Sequence, residues 1–253
     1  MTAQLFSLEG RSALVTGGAT GIGQAIAVAL AQAGANVAIT FNSQPANSTL
    51  AAVEDAGGRC IAVQGNLTEP GAAASVIGET IEALGGLDIL VNNAGVIRRA
   101  EADAHRTSDW DEVLNVNLDA VWQLSQQAGR HMLRHGRGKI INIASLLSFQ
   151  GGVRVPSYTA AKHAVLGLTR ALANEWACRG VNVNAIAPGY IETANTAPLR
   201  ADATRQRQIM DRIPAGRWGQ ASDLGGAAVF LASEAAAYVH GHVLAVDGGW
   251  LAR

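Results

Sequence analysis

Short apolar runs alternate with longer stretches of helical periodicity over most of the chain. The runs are rich in Val and Ile and do not alternate strictly between apolar and polar positions, which is typical of strands buried on both faces. They are Ser12–Val15, Asn36–Thr40, Cys60–Gln64, Asp88–Val91, Lys139–Ala144, Val181–Ile186 and Val243–Val246. The helical stretches are Ile22–Ala33, Asn47–Ala56, Ala72–Leu84, Ser108–Arg134, Ser157–Cys178 and Asp223–Ser233.

This alternation predicts an α/β fold with a mostly or wholly parallel seven-stranded sheet and helices on both faces, a doubly wound arrangement of the Rossmann type. Glycines follow most of the proposed helices, as Gly136 does, where helix C-termini favour them. No Pro/Ser-rich linker and no block of charge divides the sequence, so we expect one domain over residues 1–253. The least regular stretch is long for a connection, and we predict a substrate lid over residues 189–219.

A glycine-rich turn follows the first predicted strand. Residues 16–23 read Thr-Gly-Gly-Ala-Thr-Gly-Ile-Gly and open directly into a helix with apolar periodicity. Glycines allow the backbone to turn tightly and to approach a pyrophosphate, and the helix N-terminus offers amide donors and a favourable dipole. The spacing differs from the commoner Gly-x-Gly-x-x-Gly fingerprint. We therefore predict nucleotide binding by Gly17, Thr20, Gly21, Ile22 and Gly23.

The end of the second strand bears on which dinucleotide is bound. An acidic side chain there would bind the ribose 2′-hydroxyl of NAD, whereas a nearby arginine would suit the 2′-phosphate of NADP. Asn42 and Ser43 stand there, and neither is charged. Both can donate to a phosphate, but the choice between NAD(H) and NADP(H) stays open. After the third strand, Asn66 is either a contact to the adenine edge, with Leu67 beside it, or a simple turn residue.

Tyr158 precedes Lys162 by four residues on a predicted helix, and Ser145 lies upstream. An i,i+4 pair projects from one helix face, so the phenol and the ammonium can meet over one site. A nearby ammonium favours the phenolate and lowers the pKa of a tyrosine, which is otherwise about 10. A serine hydroxyl can hold the substrate oxygen that the phenol serves. Beside a nucleotide site this set suggests hydride transfer to or from a carbonyl, although Tyr-x-x-x-Lys alone also describes surface cation–aromatic contacts.

Composition and charge exclude several classes of function. Of the 253 residues, 49% are hydrophobic and 15% are charged, and the formal net charge is −1. A near-neutral chain has no electrostatic footprint for nucleic acid or an anionic membrane. Cys60 and Cys178 match no metal-ligand spacing, so we expect no metal and a buried, apolar role for both. The N-terminus lacks a signal-peptide pattern and no stretch reaches about 20 apolar residues, so we expect a cytoplasmic location and no membrane partner.

Taken together, these motifs resemble those of the short-chain dehydrogenase/reductase family, and the resemblance runs from Gly10 to Gly249. The matching motifs occur in the family's order and are Thr16-Gly17-x-x-x-Gly21-x-Gly23, Asn92-Asn93-Ala94-Gly95, Asn117, Ser145, Tyr158-x-x-x-Lys162 and Pro188-Gly189-x-x-x-Thr193. The conjunction is highly specific, unlike any one motif. It implies an NAD(P)-dependent oxidoreductase that acts on a CH–OH group of a small molecule.

The resemblance also implies a role for each matching residue. Tyr158 would be the general acid/base and Ser145 would orient the substrate oxygen. Lys162 would bind the nicotinamide ribose and lower the pKa of Tyr158. Asn117 would hold a water that connects Lys162 to solvent; as an alternative it is a helix-interior amide with protein partners. The remaining cofactor contacts that the resemblance implies are Asn93, Ala94, Gly95, Pro188, Gly189, Ile191 and Thr193. Family members are commonly tetramers, so we expect a homotetramer.

Residues 142–158, 195–196, 212–219 and 246–253 are similar to one subgroup, the 2-dehydro-3-deoxy-D-gluconate 5-dehydrogenases, also described as 2-deoxy-D-gluconate 3-dehydrogenases. These enzymes act in uronate breakdown. A sugar acid needs a cation for its carboxylate, and a guanidinium pairs with a carboxylate in bidentate fashion. Arg154 is our candidate for that role, with Gln150 as a second substrate contact beside Ser145 and Tyr158. Arg98 is a further candidate for the carboxylate.

Two other functions stay open. A 3-oxoacyl-carrier-protein reductase, or another short-chain reductase, would use the same serine, tyrosine and lysine. It should carry exposed basic residues that dock an acidic carrier, whereas this chain is near neutral. A catalytically silent, cofactor-sensing binding protein is the second alternative. The intact Ser145, Tyr158, Lys162 and Asn117 speak against it.

Overall fold

The computed structural model describes residues 2–253, with side chains from Gln4 onward. Seven strands form one sheet in the order β3-β2-β1-β4-β5-β6-β7, and every neighbouring pair is parallel. The strands are β1 (Ser12–Val15), β2 (Asn36–Phe41), β3 (Cys60–Gln64), β4 (Ile89–Asn92), β5 (Gly138–Ile143), β6 (Val181–Pro188) and β7 (Val243–Val246). The predicted fold class is confirmed.

Ten α-helices accompany the sheet within residues 2–253. They are α1 (Thr2–Leu5), α2 (Gly21–Gln32), α3 (Asn47–Asp55), α4 (Ala72–Leu84), α5 (Thr107–Leu114), α6 (Ala120–His135), α7 (Pro156–Trp176), α8 (Ala197–Ala201), α9 (Ala203–Met210) and α10 (Gly225–Ala232). None of these helices combines the length and the apolar character that crossing a membrane requires.

Helices cover both faces of the sheet because successive strand residues point to opposite sides. In β1, Ala13 and Val15 pack in one core with α2 and α10, whereas Leu14 packs in the other core with α4, α6 and α7. Strands buried on both faces need apolar residues at consecutive positions, which is the pattern that the sequence shows.

The chain order places a crevice at the carboxyl edge of the sheet. The chain passes from β1 outward to β2 and β3, then crosses back to β4 on the other side of β1. In open α/β sheets, ligands bind where the strand order reverses in this way. The loops that follow β1, β4, β5 and β6 meet at this edge, and they carry most of the candidate site residues.

Several details differ from the sequence predictions. The predicted helix Ser108–Arg134 is interrupted by a π turn at Asn115–Asp119, and the predicted lid contains α8 and α9. The edge strand β7 is largely part-exposed, because only β6 covers its side in the sheet. The expected burial of Cys178 is wrong, since this thiol is exposed.

Candidate active site

The turn between β1 and α2 is built for close approach of a ligand to the backbone. Gly17 and Gly21 have φ of +61° and +58°, a conformation that costs a residue with a side chain free energy. A Cβ on Gly23 would lie 2.3 Å from the Gly17 carbonyl oxygen and 2.4 Å from Nδ2 of Asn93. No side chain fits there without displacing backbone, so the turn presents a bare surface of the kind a pyrophosphate needs.

The N-terminus of α2 offers the donors. Thr20 stands at the N-cap position in extended conformation, and in this described segment its side chain does not cap the first-turn amides. A helix of 12 residues concentrates a partial positive charge at these amides. The turn and the helix end together fit the negatively charged pyrophosphate of a dinucleotide.

Asn93 fixes this turn from the neighbouring strand. Its Nδ2 donates to the carbonyl oxygens of Thr16 and Gly17, at 2.8 and 3.1 Å. The hydroxyl of Thr16 in turn accepts from the backbone N–H groups of Asn93 and Ala94, both at 3.0 Å. The residues predicted to contact cofactor after β4 therefore also tie the ends of β1 and β4 together.

The residues predicted to contact the adenosine half of the cofactor follow β2 and β3. Asn42 and Ser43 are exposed at the end of β2, where the sequence places them. The side chain of Asn66 forms a local turn: its Oδ1 accepts from the backbone N–H of Thr68 at 3.2 Å, and its Nδ2 donates to Glu69 at 3.2 Å. These bonds match the turn-residue alternative for Asn66.

Ser145, Tyr158 and Lys162 lie together at the carboxyl end of β5. Ser145 precedes a 3₁₀ turn, and its Oγ accepts from the backbone N–H of Leu147 at 3.1 Å. Pro156 begins α7 with a preset helical φ. The following turns bring Nζ of Lys162 to 5.6 Å from the centroid of the Tyr158 ring. The predicted i,i+4 meeting is present.

Electrostatics within this group differ from the expectation. Burial raises the pKa of Tyr158 above its ordinary value near 10, whereas the Ser145 hydroxyl and the charge of Arg99 act in the opposite direction. Burial lowers the pKa of Lys162 from 10.5 to about 8. The Lys162 ammonium donates to the carbonyl oxygen of Ile143 at 2.6 Å. The lowering of the Tyr158 pKa by Lys162 stays a prediction, since burial is the largest effect on that pKa and Lys162 is not among its causes.

Asn117 lies in the π turn and is fully buried. The extra residue in this turn is marked by the Ala120 N–H, which donates to the carbonyl of Asn115 five residues back. The side-chain Oδ1 of Asn117 accepts from the backbone N–H of Val96 at 3.0 Å, and its Nδ2 donates to the Val96 carbonyl at 2.8 Å. Asn117 thus holds the chain after β4, which matches its alternative as an amide with protein partners.

The end of β6 reaches the same crevice. Gly189 is obligatory in its place, since a Cβ there would lie 2.6 Å from the Cα of Asp247. Ile191 is buried in the core that contains α2. Thr193 of the predicted lid lies beside the glycine turn: a Cβ on Gly21 would meet its Cγ2 at 3.6 Å. Of the four predicted cofactor contacts here, the structure places Thr193 beside the predicted cofactor turn. Pro188 ends β6, Gly189 packs against Asp247, and Ile191 is a core residue.

Three predicted substrate contacts have protein partners. The Arg154 guanidinium pairs with Glu101, Nε to Oε1 at 3.1 Å, and Arg98 forms a bidentate pair with Glu112. Oε1 of Gln150 accepts from Nε1 of Trp250 at 3.4 Å. Arg154 is the only non-glycine residue in the described chain with a positive φ, +65°. For an L-residue this conformation costs about 1–2 kcal/mol.

Arg99 is the cation that the sequence reasoning missed. Its charge acts to lower the pKa of Tyr158, against the larger effect of burial. Its terminal nitrogen donates to the carbonyl oxygen of Asn195 at 3.0 Å, which links the loop after β4 to the lid. Arg99 follows Asn92–Gly95 by four residues, so its position could have suggested a role at the site. The adjacent Arg98 has nearly the same position, and the sequence does not distinguish the two.

An apolar cluster holds the predicted lid against the C-terminal residues. Leu146, Ile209, Ile213, Trp218 and Trp250 form a separate buried core that joins residues 209–218 to the C-terminus. Tyr190 packs on both tryptophans, with centroid distances of 5.5 and 4.7 Å. The Arg212 guanidinium lies 4.0 Å from the centroid of the Trp250 ring.

Comparisons with known proteins agree with this geometry. A family model described as Enoyl-(Acyl carrier protein) reductase matches residues 17–251. The 2-dehydro-3-deoxy-D-gluconate 5-dehydrogenase of Bacillus subtilis is 57% identical over 248 residues, which cover 98% of this chain and 97% of that protein. A crystal structure from Agrobacterium tumefaciens with bound NADP is 58% identical, with a TM-score of 0.93 and coverage of 98% of this chain and 99% of that one. The gluconate 5-dehydrogenase of Burkholderia cenocepacia, in complex with NADP and tartrate, is 40% identical, with a TM-score of 0.95 and full coverage of both chains.

Proposed function

The chain belongs to the short-chain dehydrogenase/reductase family, and we propose that it transfers hydride between a nicotinamide cofactor and the secondary alcohol or ketone of a deoxy keto sugar acid. The substrate is of the 2-dehydro-3-deoxy-D-gluconate or 2-deoxy-D-gluconate type, in uronate catabolism. The observation that carries this proposal is the group of Ser145, Tyr158 and Lys162 at the same sheet edge as the glycine turn. Relatives of more than half identity bear this activity in their names.

The residues present fit a dinucleotide. The bare turn at residues 17–23 would take the pyrophosphate, and Asn42 and Ser43 would face the adenosine ribose. Lys162 would bind the nicotinamide ribose, and residues 188–193 would line the carboxamide. The bound nicotinamide supplies a hydride acceptor for oxidation or a hydride donor for reduction. Both NAD(H) and NADP(H) are compatible, because the end of β2 carries neither the carboxylate that excludes a 2′-phosphate nor an arginine that demands one.

Tyr158 and Ser145 perform the proton chemistry. In oxidation, the phenolate of Tyr158 accepts the proton of the substrate hydroxyl as that carbon loses its hydride. In reduction, the phenol donates its proton to the oxygen that becomes the alcohol. Ser145 holds that oxygen by a hydrogen bond, which strengthens as negative charge develops on it. Burial raises the pKa of Tyr158, which favours the neutral phenol over the phenolate.

We assign the substrate carboxylate to Arg99 in preference to Arg154. Arg99 donates to the Asn195 carbonyl of the predicted lid at 3.0 Å, and its charge acts to lower the pKa of Tyr158, so we take it as the cation available to a substrate anion. Arg154 and Arg98 already pair with carboxylates of the protein. The gluconate 5-dehydrogenase neighbour was crystallised with tartrate, which is itself a hydroxy acid.

The lid, the assembly and the location are parts of the same proposal. Residues 189–219 would close over the substrate as part of one domain. We propose a cytoplasmic location and a homotetramer; assembly is supported by apolar surface on α5 and α6, where Trp110 and Trp122 are 38% and 41% exposed. Tyr238, which precedes the edge strand β7, is 99% exposed. Large apolar side chains at such positions are typical of surfaces that a partner covers.

The test is an initial-rate panel on the purified protein. The substrates are 2-dehydro-3-deoxy-D-gluconate, 2-deoxy-D-gluconate, a 3-oxoacyl thioester and a simple ketone, each with both nicotinamide cofactors. We expect turnover with a sugar acid and none with the thioester. Turnover of the thioester alone would favour the carrier-protein reductase, and cofactor binding with no turnover of any substrate would favour the sensing protein.

A further inference from the structure

Arg154 adopts a backbone conformation that glycine tolerates and arginine does not. Its φ of +65° is unique among the non-glycine residues that the structure describes. Strained backbone of this kind persists only where the surroundings hold it in place, and it clusters near functional sites. Two glycines, Gly151 and Gly152, stand just before it, so a more permissive residue type is common in this loop. The arginine side chain therefore has a use that offsets the strain.

The backbone and the side chain of Arg154 both contact the segment Ala100–Glu101. Its carbonyl oxygen accepts from the backbone N–H of Ala100 at 3.1 Å. Its Nε lies 3.1 Å from Oε1 of Glu101. Ala100 and Glu101 follow Arg99 directly, so the strained turn at the start of α7 grips the residues next to the proposed carboxylate ligand.

The loop at residues 96–106, here called the β4–α5 loop, is fixed on both sides of Arg99. Arg98 is held by both carboxylate oxygens of Glu112, at 2.8 and 2.5 Å. Further along, Nε2 of His105 lies 3.0 Å from the hydroxyl of Ser157, which is fully buried and precedes Tyr158. Arg99 therefore lies between two fixed residues: Arg98, which pairs with Glu112, and Glu101, which pairs with Arg154.

We propose that Arg154 is a positioning residue, which through Glu101 holds Arg99 in place for a carboxylate-bearing substrate. This inference rests on the proposed function. It assigns Arg154 a role in selecting acids over neutral keto sugars without contact to the substrate. The pair is exposed, with 56% and 65% of the two side chains accessible, so its effect is moderate and falls on recognition rather than on the chemical step.

The experiment compares kcat and KM of three variants on two substrates. Arg154→Gly relieves the strain and removes the ion pair, Glu101→Gln removes the charge and keeps the shape, and Arg154→Lys keeps the charge. The substrates are 2-dehydro-3-deoxy-D-gluconate and the neutral keto sugar with a hydroxymethyl group in place of the carboxylate. For Arg154→Gly and Glu101→Gln we expect a KM for the acid raised about fivefold, equivalent to roughly 1 kcal/mol. Their kcat should stay within about twofold of the wild type, and KM for the neutral sugar should not change.

Two further comparisons separate positioning from general damage. Arg154→Lys should recover most of the affinity for the acid, and the double variant Arg154→Gly/Glu101→Gln should be no worse than either single one. Asp109→Asn is the control, since it breaks another arginine–carboxylate pair, with Arg106 three residues before it at the start of α5. It should leave both KM values unchanged.

An unchanged KM for the acid in Arg154→Gly and Glu101→Gln overturns this inference and leaves the proposed function intact. Equal losses on the acid and on the neutral sugar also overturn it, because they indicate a general structural role. A wild-type protein that turns over neutral ketones but no sugar acid, or turns over nothing, contradicts the proposed function and this inference together.

Discussion

The glycine turn after β1 and the β4–α5 loop both follow parallel strands at one edge of the sheet, but different interactions hold them. The turn is fixed by backbone contacts at van der Waals distance and by hydrogen bonds from Asn93 to main-chain oxygens. The loop is fixed mainly by side-chain pairs, among them Arg98 with Glu112 and Glu101 with Arg154. A backbone cradle suits a constant ligand such as a pyrophosphate, whereas exchangeable side-chain pairs suit a part of the site that distinguishes substrates.

The largest effect is expected from adding a methyl group to the glycine turn, at Gly23. Gly23→Ala places a Cβ 2.3 Å from a backbone oxygen that cannot move without moving β1. We expect the dissociation constants of NAD(H) and NADP(H) to rise by about 100-fold or more, equivalent to roughly 2.7 kcal/mol, in a calorimetric titration.

Gly78→Ala is the control for the turn variant. A Cβ at Gly78 meets nothing within 4 Å, and the residue lies inside α4. This variant should gain about 0.5–1 kcal/mol of stability and bind nucleotide normally. If Gly23→Ala binds nucleotide as tightly as Gly78→Ala does, the turn is not the pyrophosphate site.

Lys162 gives the next largest expected effect, because the residue is 3% exposed and burial lowers its pKa from 10.5 to about 8. Between these pH values the unfolded chain holds more protons than the folded one, so stability rises with pH. Below about pH 8 the cost of burying the charge is fully present. Relative to Lys162→Met, the wild type should therefore gain on the order of 2 kcal/mol in the free energy of unfolding between pH 7.5 and 9.5.

Denaturant titrations at several pH values measure this difference. The range ends below the ordinary pKa of Tyr158, whose raised pKa has the opposite effect: it makes stability fall as pH rises above about 10. Lys139→Met is the comparison variant, since burial also lowers the pKa of Lys139 but that side chain is less buried. A flat difference between wild type and Lys162→Met would show that the ammonium is solvated in the folded protein.

The substrate side should respond to Arg99. Arg99→Ala is expected to raise KM for the sugar acid about tenfold, equivalent to roughly 1.4 kcal/mol, and to leave nucleotide binding unchanged. Arg99→Lys should recover only part of the affinity, because an ammonium does not form the bidentate pair. Arg59→Ala removes an exposed arginine at the start of β3 and serves as the control. A change in nucleotide affinity with Arg99→Ala would contradict the assignment of the glycine turn to the nucleotide and of the β4–α5 loop to the substrate.

The sequence predicted the parts that backbone packing determines. All seven strands were found within two residues at each end, because strands buried on both faces need continuous apolar runs that glycines and polar residues terminate. The glycine turn and the spacing of Tyr158 to Lys162 could also be recognised, because local backbone geometry determines both.

The remaining features depend on contacts between distant segments. The π turn at Asn115–Asp119 needs one extra residue in a helix whose periodicity changes little. The pairing of Arg154 with Glu101 joins residues 53 positions apart, and nothing local distinguishes Arg98 from Arg99. The raised pKa of Tyr158 follows from burial, which a helical spacing does not report.

The most direct test is to measure two rates for the wild type and Tyr158→Phe, with each nicotinamide cofactor at saturation. One is the oxidation of 2-dehydro-3-deoxy-D-gluconate, and the other is the reduction of its 5-keto counterpart. We predict turnover of about 1–100 s⁻¹ for the wild type with at least one cofactor, and a loss of about 1,000-fold or more in the variant. The dissociation constant of the cofactor should be the same in both proteins. A wild type that does not turn over the sugar acid, or a variant that keeps more than about a tenth of the rate, a loss of under roughly 1.4 kcal/mol, would contradict this prediction.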